Sequence, residues 1–303
     1  MVRMPSSAPP PLRCPLCGDH LKVANITGEA AHRSLICGAA HSFDAARQGY
    51  FNLLVGKGTV FEADSADMVA ARFNFLAAGH YRPLADAVSA AVVARVLPGS
   101  PFTVLDSGTG TGHYLRIVLD DVRRVTGEYT AVALDISKFA LRRSARLNPE
   151  AVNLACDVWQ QLPVADAAVD VVTVIFAPRN AAEFARVLRP DGRLVVVTPR
   201  AGHLGSLATR TGMLAIEDEK DARLAESLGG HFVPESSRDV DIHMRLTPGE
   251  MADLAFMGPA GHHLDRAAIA ARLDRRDPDK PDPTSAVDAL FRITVFRPVG
   301  PAA

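Results

Sequence analysis

Between Ser65 and Leu97 the apolar positions fall at helical spacing: Met68, Phe73, Phe75 and Leu76, then Leu84, Val88, Val92, Val93 and Val96, until Pro98-Gly99 stops the pattern. Beyond that stop the period changes. Short runs rich in β-branched residues predict strands at Phe102–Asp106, Thr130–Asp135, Val152–Asp157, Val169–Phe176 and Arg193–Thr198. Helical stretches lie between them, among them Ala181–Leu188 before the turn Arg189-Pro190-Asp191-Gly192. Strands alternating with helices imply an α/β fold with a parallel sheet covered on both faces. Two later strands, Val240–Leu246 and Phe291–Phe296, make seven, and the last is expected to insert beside its neighbour and so make the sheet mixed. Between these two lie an amphipathic stretch, His263–Leu273, and a polar loop, residues 274–283.

The N-terminal part follows no such period. Residues 1–12, rich in Pro, Ser and Ala, cannot bury a core and read as a disordered tail. From Arg13 to residue 60 long apolar runs are missing while Cys and His cluster, so something other than a hydrophobic core has to hold this piece. The chain therefore divides into a tail (1–12), a small metal-held module (13–60), a helical linker (61–98) and a large α/β domain (99–303). A length of 303 residues suits one large domain with a minor one. No run reaches the roughly 18 apolar residues of a membrane span, and the first residues lack the apolar stretch of a secretory signal, so a cytoplasmic protein is expected. The formal net charge is −1, which leaves nucleic-acid binding to a local patch; up to residue 60, six Lys/Arg against three Asp/Glu give an excess of +3.

Three of the four cysteines lie between positions 14 and 37, which is not the spread of a disulfide scaffold. Cys14-x2-Cys17 followed by Cys37-x3-His41 supplies three thiolates and an imidazole in two tight knuckles, the donor set that tetrahedral zinc prefers. Four protein ligands leave no open position, so the expected role is one structural zinc per chain. His20 and His32 lack the Cys-x3-His spacing. A redox pair would belong at a helix start within a βαβ pattern, and none surrounds Cys14 and Cys17. Cys156, inside a strand pattern, reads as a core residue.

The strand Phe102–Asp106 runs straight into Asp106-Ser-Gly108-Thr-Gly110-Thr-Gly112, and His113 opens a helix. Glycines here let the backbone pass close to a ligand and leave helix-start N–H groups facing it. The dinucleotide fingerprint needs glycine at 113, where this chain has His113. Asp135 ends the second strand, where it can accept from both ribose hydroxyls of a nucleoside, and Asp157 ends the third, near the adenine. Asp106, the glycine loop and the two further acids in register point to S-adenosylmethionine (SAM) on a Rossmann-like class I methyltransferase fold.

The chain also resembles one family: the zinc-binding bacterial 23S rRNA guanine-N1 methyltransferases, which include macrolide (tylosin-type) resistance enzymes. The likeness runs in order through Cys14-Pro-Leu-Cys17, Cys37-x3-His41-Ser-Phe-Asp, Gly49-Tyr-Phe-Asn-Leu-Leu, Asp64-Ser-x-Asp-Met, Ala71-Arg-Phe, Phe75-Leu-x-Ala-Gly-His-Tyr81-Arg-Pro-Leu, the glycine loop, Ala177-Pro178, and Thr198-Pro199 through His203-Leu204. It implies methyl transfer to N1 of a guanine in a hairpin loop of 23S rRNA near the peptide exit tunnel, and a homodimer whose zinc modules help to grip the RNA. It also implies that Cys14, Cys17, Cys37 and His41 bind zinc and that Tyr81, Gly112 with His113, and His203 touch SAM. Alone, Tyr81 reads as a helix-packing aromatic and His203 as a loop histidine. Ser107 departs from the family pattern, in which an apolar residue follows the Asp.

After the fourth strand the chain reads Phe176-Ala-Pro178-Arg179-Asn180. Methylases of exocyclic amino groups commonly carry Asp/Asn-Pro-Pro-Tyr/Phe there, and its absence argues for a ring nitrogen. Arg179 is either a helix-start surface cation or a group that steadies a base or phosphate. Rival readings are a SAM enzyme acting on a small molecule, a zinc-bearing RNA-binding protein without activity, and, more remotely, a nicotinamide-dependent oxidoreductase. The spacing names no general base.

Overall fold

The computed structural model describes residues 10–26, 32–56, 58–211, 224, 226–263, 265–273 and 284–299. The polar loop 274–283 and most of the tail lie outside them.

Four short strands, β1 (Leu12–Arg13), β2 (His20–Ile26), β3 (His32–Ile36) and β4 (Ser42–Asp44), form an antiparallel sheet in that order. Leu12 corrects the tail reading at its last residue. It is buried, pairs with Leu21 and bridges to Val164, contacts that no local periodicity around Pro10-Pro11 signals. Next in the chain comes β5 (Tyr50–Asn52), which leaves this sheet and adds to the edge of the large one, parallel to β8 (Val152–Ala155).

Helices α1 (Ala66–Ala77) and α2 (Arg82–Val93) form from the helical stretch. Ser65 caps α1 by accepting from the Met68 N–H at 3.2 Å. Gly79, at φ +86°, turns the chain between the two helices in a conformation that a side chain would resist. The segment set apart in the sequence as a linker lies in the core: Phe75, Leu84, Val88 and Val92 are buried in one cluster with Leu119 and Phe291.

The large sheet comprises β6 (Phe102–Ser107), β7 (Tyr129–Asp135), β8, β9 (Val169–Ile175), β10 (Leu188–Pro199), β11 (Phe232–Leu246) and β12 (Ser285–Pro298) with β5, in the order β11-β12-β10-β9-β6-β7-β8-β5. The seven expected strands are all present, with β12 inserted antiparallel between β10 and β11. An eighth is contributed by the N-terminal module. The helices α3 (His113–Val125), α4 (Lys138–Leu147), α5 (Ala181–Val187), α6 (Gly205–Thr211), α7 (Pro248–Phe256) and α8 (Arg266–Leu273) lie in the connections between these strands. Strands β6 and β9 are adjacent and parallel, so the order reverses between them. At such a switch point the connections leave a crevice at the carboxyl ends of the strands, which is where ligands bind in this architecture. No helix among the described residues is long and apolar enough to cross a membrane.

Candidate cofactor site and metal centre

The crevice is built from the loop after β6. Asp106 is buried and accepts a 2.6 Å hydrogen bond from the Thr173 hydroxyl of β9, while burial pushes its pKa up. The Gly108 and Thr109 N–H groups both donate to the Leu134 carbonyl, at 2.8 and 2.9 Å, which folds the loop back over the end of β7. Gly108 sits at φ +75° against the Cβ of Ala177, and Gly112, at φ +80°, is the residue before α3 and packs on Ser144 and Asn148.

Asp135 ties this loop to the next helix. One carboxylate oxygen accepts from the Gly110 N–H and the other from the Ser137 N–H, both at 2.8 Å. Each oxygen keeps a lone pair for a further donor, as a vicinal diol requires. Burial raises the Asp135 pKa to about 6, against the two N–H bonds and the nearby Arg72, which lower it. Asp157 is buried beyond the end of β8 and accepts from the Thr59 hydroxyl at 2.9 Å and the Trp159 N–H at 3.0 Å.

At the start of α3, His113 Nε2 is buried and makes no hydrogen bond among the described residues. Burial, with the charge of Arg82, lowers the His113 pKa and favours the neutral ring. A buried polar atom without a partner at the start of this helix suits a polar ligand.

Tyr81 and His203, far apart in sequence, both pack on Phe291 of β12, with ring centroids at 5.1 and 4.7 Å. The Leu290 N–H donates to His203 Nδ1 at 3.0 Å and fixes that ring. Phe176, at φ +56° and 47% exposed, places its ring 5.3 Å from the same Phe291, so the end of β9 presents an aromatic face in a strained backbone conformation. Beside it Arg179 is half-buried, has its pKa lowered by burial, and makes no hydrogen bond or ion pair among the described residues.

Several of these groups have no signal in local spacing. Arg72 of α1 lies over the glycine loop, where a Cβ on Gly110 would be 3.8 Å from its Cδ, and it pairs with Asp64. Phe291, Thr173 and Thr59 likewise reach the site only through the fold. Cys156 is a buried core residue, its thiol pushed up by burial and by the carboxylates of Asp135 and Asp157.

In the N-terminal module the donor atoms of Cys14, Cys17, Cys37 and His41 all lie within 4.8 Å of one another. Zinc bonds of about 2.3 Å to sulfur and 2.0 Å to nitrogen set tetrahedral edges of about 3.8 Å between sulfurs and 3.5 Å between sulfur and nitrogen. The observed separations are 3.7 Å for Cys17 and Cys37 Sγ, and 3.5 and 3.4 Å from His41 Nδ1 to the sulfurs of Cys14 and Cys37. The cluster therefore fits a closed zinc site.

A seven-stranded mixed sheet of this order, with a glycine loop after its first strand and acids at the ends of the next two, defines an S-adenosylmethionine-dependent methyltransferase, here joined to a zinc ribbon. A family model described as RlmA, N-terminal, matches residues 12–56, and a methyltransferase domain model matches residues 104–192. A protein of Micromonospora griseorubida named as a 23S rRNA (guanine-N1)-methyltransferase is 46% identical over 302 residues, covering 96% of this chain and 98% of its own. The 23S rRNA (guanine(748)-N1)-methyltransferase of Streptomyces fradiae is 40% identical over 262 residues, covering 86% of this chain and 89% of its own. A Bacillus subtilis protein similarly named, YxjB, is 32% identical over 63% of this chain and 65% of its own. The chain belongs to the family of 23S rRNA (guanine-N1)-methyltransferases.

Proposed function

We propose that this enzyme transfers the methyl group of SAM to N1 of a guanine in a hairpin loop of 23S rRNA near the peptide exit tunnel, acting in the cytoplasm as a homodimer and conferring or modulating macrolide (tylosin-type) resistance. What carries the reading is the similarity of relatives so named over nearly the whole chain, zinc ribbon included. Bound SAM supplies a methyl group on a sulfonium, a strong electrophile that needs alignment more than activation.

In this reading Asp135 accepts from the ribose hydroxyls, Asp157 faces the adenine, and Asp106 with Gly108, Gly110, Gly112 and His113 shapes the loop around the rest. Tyr81 and His203, held on Phe291, line the methionine end. Cys14, Cys17, Cys37 and His41 hold the zinc. Arg179 and the exposed Phe176 receive the guanine in this reading, one offering a cation to its carbonyl or a phosphate and the other a stacking face. A loop guanine splayed from its stack can reach such a site.

Incubation with tritiated-methyl SAM and protein-free 23S rRNA, followed by nucleoside analysis, is expected to give 1-methylguanosine at a single loop position. Label on no nucleoside, with SAM binding intact, would sink the rRNA reading.

The ribose role of Asp135 has its own tests. Replacement by alanine is expected to weaken SAM binding by about 1 to 3 kcal/mol, the scale for losing hydrogen bonds to a charge. Unchanged affinity would remove the assignment. The pH dependence follows from the raised pKa of about 6. Ribose hydroxyls donate, so they bind the ionised carboxylate, and as pH falls through this value the acid must first release its proton. Calorimetry is expected to show a flat SAM affinity above neutrality and a loss approaching about tenfold per pH unit well below the pKa. Asp135→Asn should flatten that loss.

A further inference from the structure

Helix α4, sequence KFALRRSARL, carries four cations and no acid. Its Ala140, Leu141, Ser144 and Ala145 are buried against the sheet. Lys138, Arg142 and Arg146 are exposed and stand at successive steps of four residues, so they line one face and advance about 6 Å per step along the axis. None of the three makes an ion pair among the described residues. The neighbouring α3 is different: its Arg116, Arg123 and Arg124 are all matched by Asp120, Asp121 or Glu150. The fourth cation of α4, Arg143, is turned inward over the Phe73 ring at 4.3 Å. Arg142 lies 5.1 Å from the ring of Phe139, which is itself 44% exposed, so a guanidinium and an aromatic face are offered together.

Both ends of the row meet a site already described. At one end, Ser137 caps α4 and its N–H binds the carboxylate of Asp135 in the cofactor crevice. At the other, the turn between β4 and β5 rests on the helix: a Cβ on Gly49 would be 3.9 Å from that of Ala145, and Ala46 packs on the cluster of Leu141 and Ala145. On that turn Arg47 is exposed and without an ion pair among the described residues, which extends the row onto the N-terminal module.

We infer that Lys138, Arg142, Arg146 and Arg47 form a track for an RNA phosphate backbone, leading from the methyl-transfer crevice to the zinc module. Unpaired cations at regular intervals beside an exposed aromatic suit a phosphate chain whose bases can stack. An anionic membrane would call for an apolar face flanking the cations, and the apolar face of α4 is buried. The choice of RNA rests on the function proposed above.

The test uses the full zinc-loaded chain and a variant with Lys138→Gln, Arg142→Gln and Arg146→Gln, glutamine being as good a helix former. Fluorescence anisotropy is read with a 23S hairpin RNA and with an unrelated single-stranded RNA, between about 50 and 200 mM salt. At about 0.7 per contact to a single strand, the slope of log affinity against log salt should fall by about 2, and affinity at the lower salt by about tenfold or more, with both RNAs. SAM affinity should be unchanged. Arg47→Gln, made separately on the turn, should lower the slope by about 0.7 and keeps the test open if the triple variant folds poorly. An unchanged slope and affinity in a folded variant overturns the track, as does row-dependent binding to phosphatidylglycerol vesicles that is tighter than to RNA at equal salt. Methyl transfer by the unsubstituted protein separates the two ideas. Transfer with an unaltered slope sinks the track alone, and a lowered slope without transfer sinks the proposed reaction alone.

Discussion

Replacing Cys14 by serine is expected to bring bound zinc well below one per chain and to unfold the N-terminal sheet. Binding of a structural zinc contributes on the order of 10 to 16 kcal/mol of folding free energy in modules of this size. Within itself the four-stranded sheet has little to replace it, its buried leucines belonging to a core cluster shared with the large domain. Its fully buried apolar side chains are Leu12, Leu21 and Leu35, and two of the thiols, Cys14 and Cys37, are buried beside them. Cys14 also stands directly after β1, whose Leu12 bridges to Val164 of the large domain. Its loss should therefore loosen the contact between the modules and weaken RNA binding. Metal analysis of the purified variant, with limited proteolysis to locate the unfolded part, checks this. Full zinc occupancy would remove Cys14 from the ligand set.

Gly108→Ala should be strongly damaging at the cofactor crevice. The residue needs φ +75°, and a methyl group there would overlap the Ala177 Cβ, which has backbone on either side and cannot swing away. Left-handed backbone costs a non-glycine residue roughly 1 to 2 kcal/mol, and overpacking adds about 1 to 3 kcal/mol, so a loss of about 2 to 5 kcal/mol is expected if the loop holds its place. If the loop shifts instead, the N–H of Gly110 leaves Asp135, and misplacement of the cofactor by an ångström is enough to lower turnover by about a hundredfold. Denaturant melts and SAM calorimetry distinguish the two responses. Gly99→Ala provides the contrast: it has φ +72° and nothing within 4 Å of an added Cβ, so only the strain should appear, with SAM affinity unchanged. Equal effects at the two positions would mean that the contact with Ala177 is unimportant.

Features that depend on residues a few positions apart were legible in the chain alone. The knuckle spacing of Cys14, Cys17, Cys37 and His41 predicts a tetrahedral donor set because each pair is closed by a tight turn, and the structure brings the four donor atoms together. The glycine loop and the acids after the strands were legible for the same reason, since strand, turn and helix follow one another without interruption. Alternation of strands and helices also implied the parallel sheet, which the inserted antiparallel final strand makes mixed.

Features that join residues far apart in the chain became visible only in the folded protein. Nothing near Tyr81 or His203 hints that both rest on Phe291, because that contact exists only after β12 has inserted beside β10. Arg72 reaches Gly110 only when α1 packs over the crevice, and Leu12 meets Val164 only when its module meets the large domain. Local spacing says nothing of what faces the basic side of α4. Its lack of acidic partners, and its continuation through Arg47, appear only when the β4–β5 turn is seen resting on Ala145. Local spacing fixes the geometry of turns and helix faces, whereas which faces meet is set by sheet order and by the apolar area that each meeting buries.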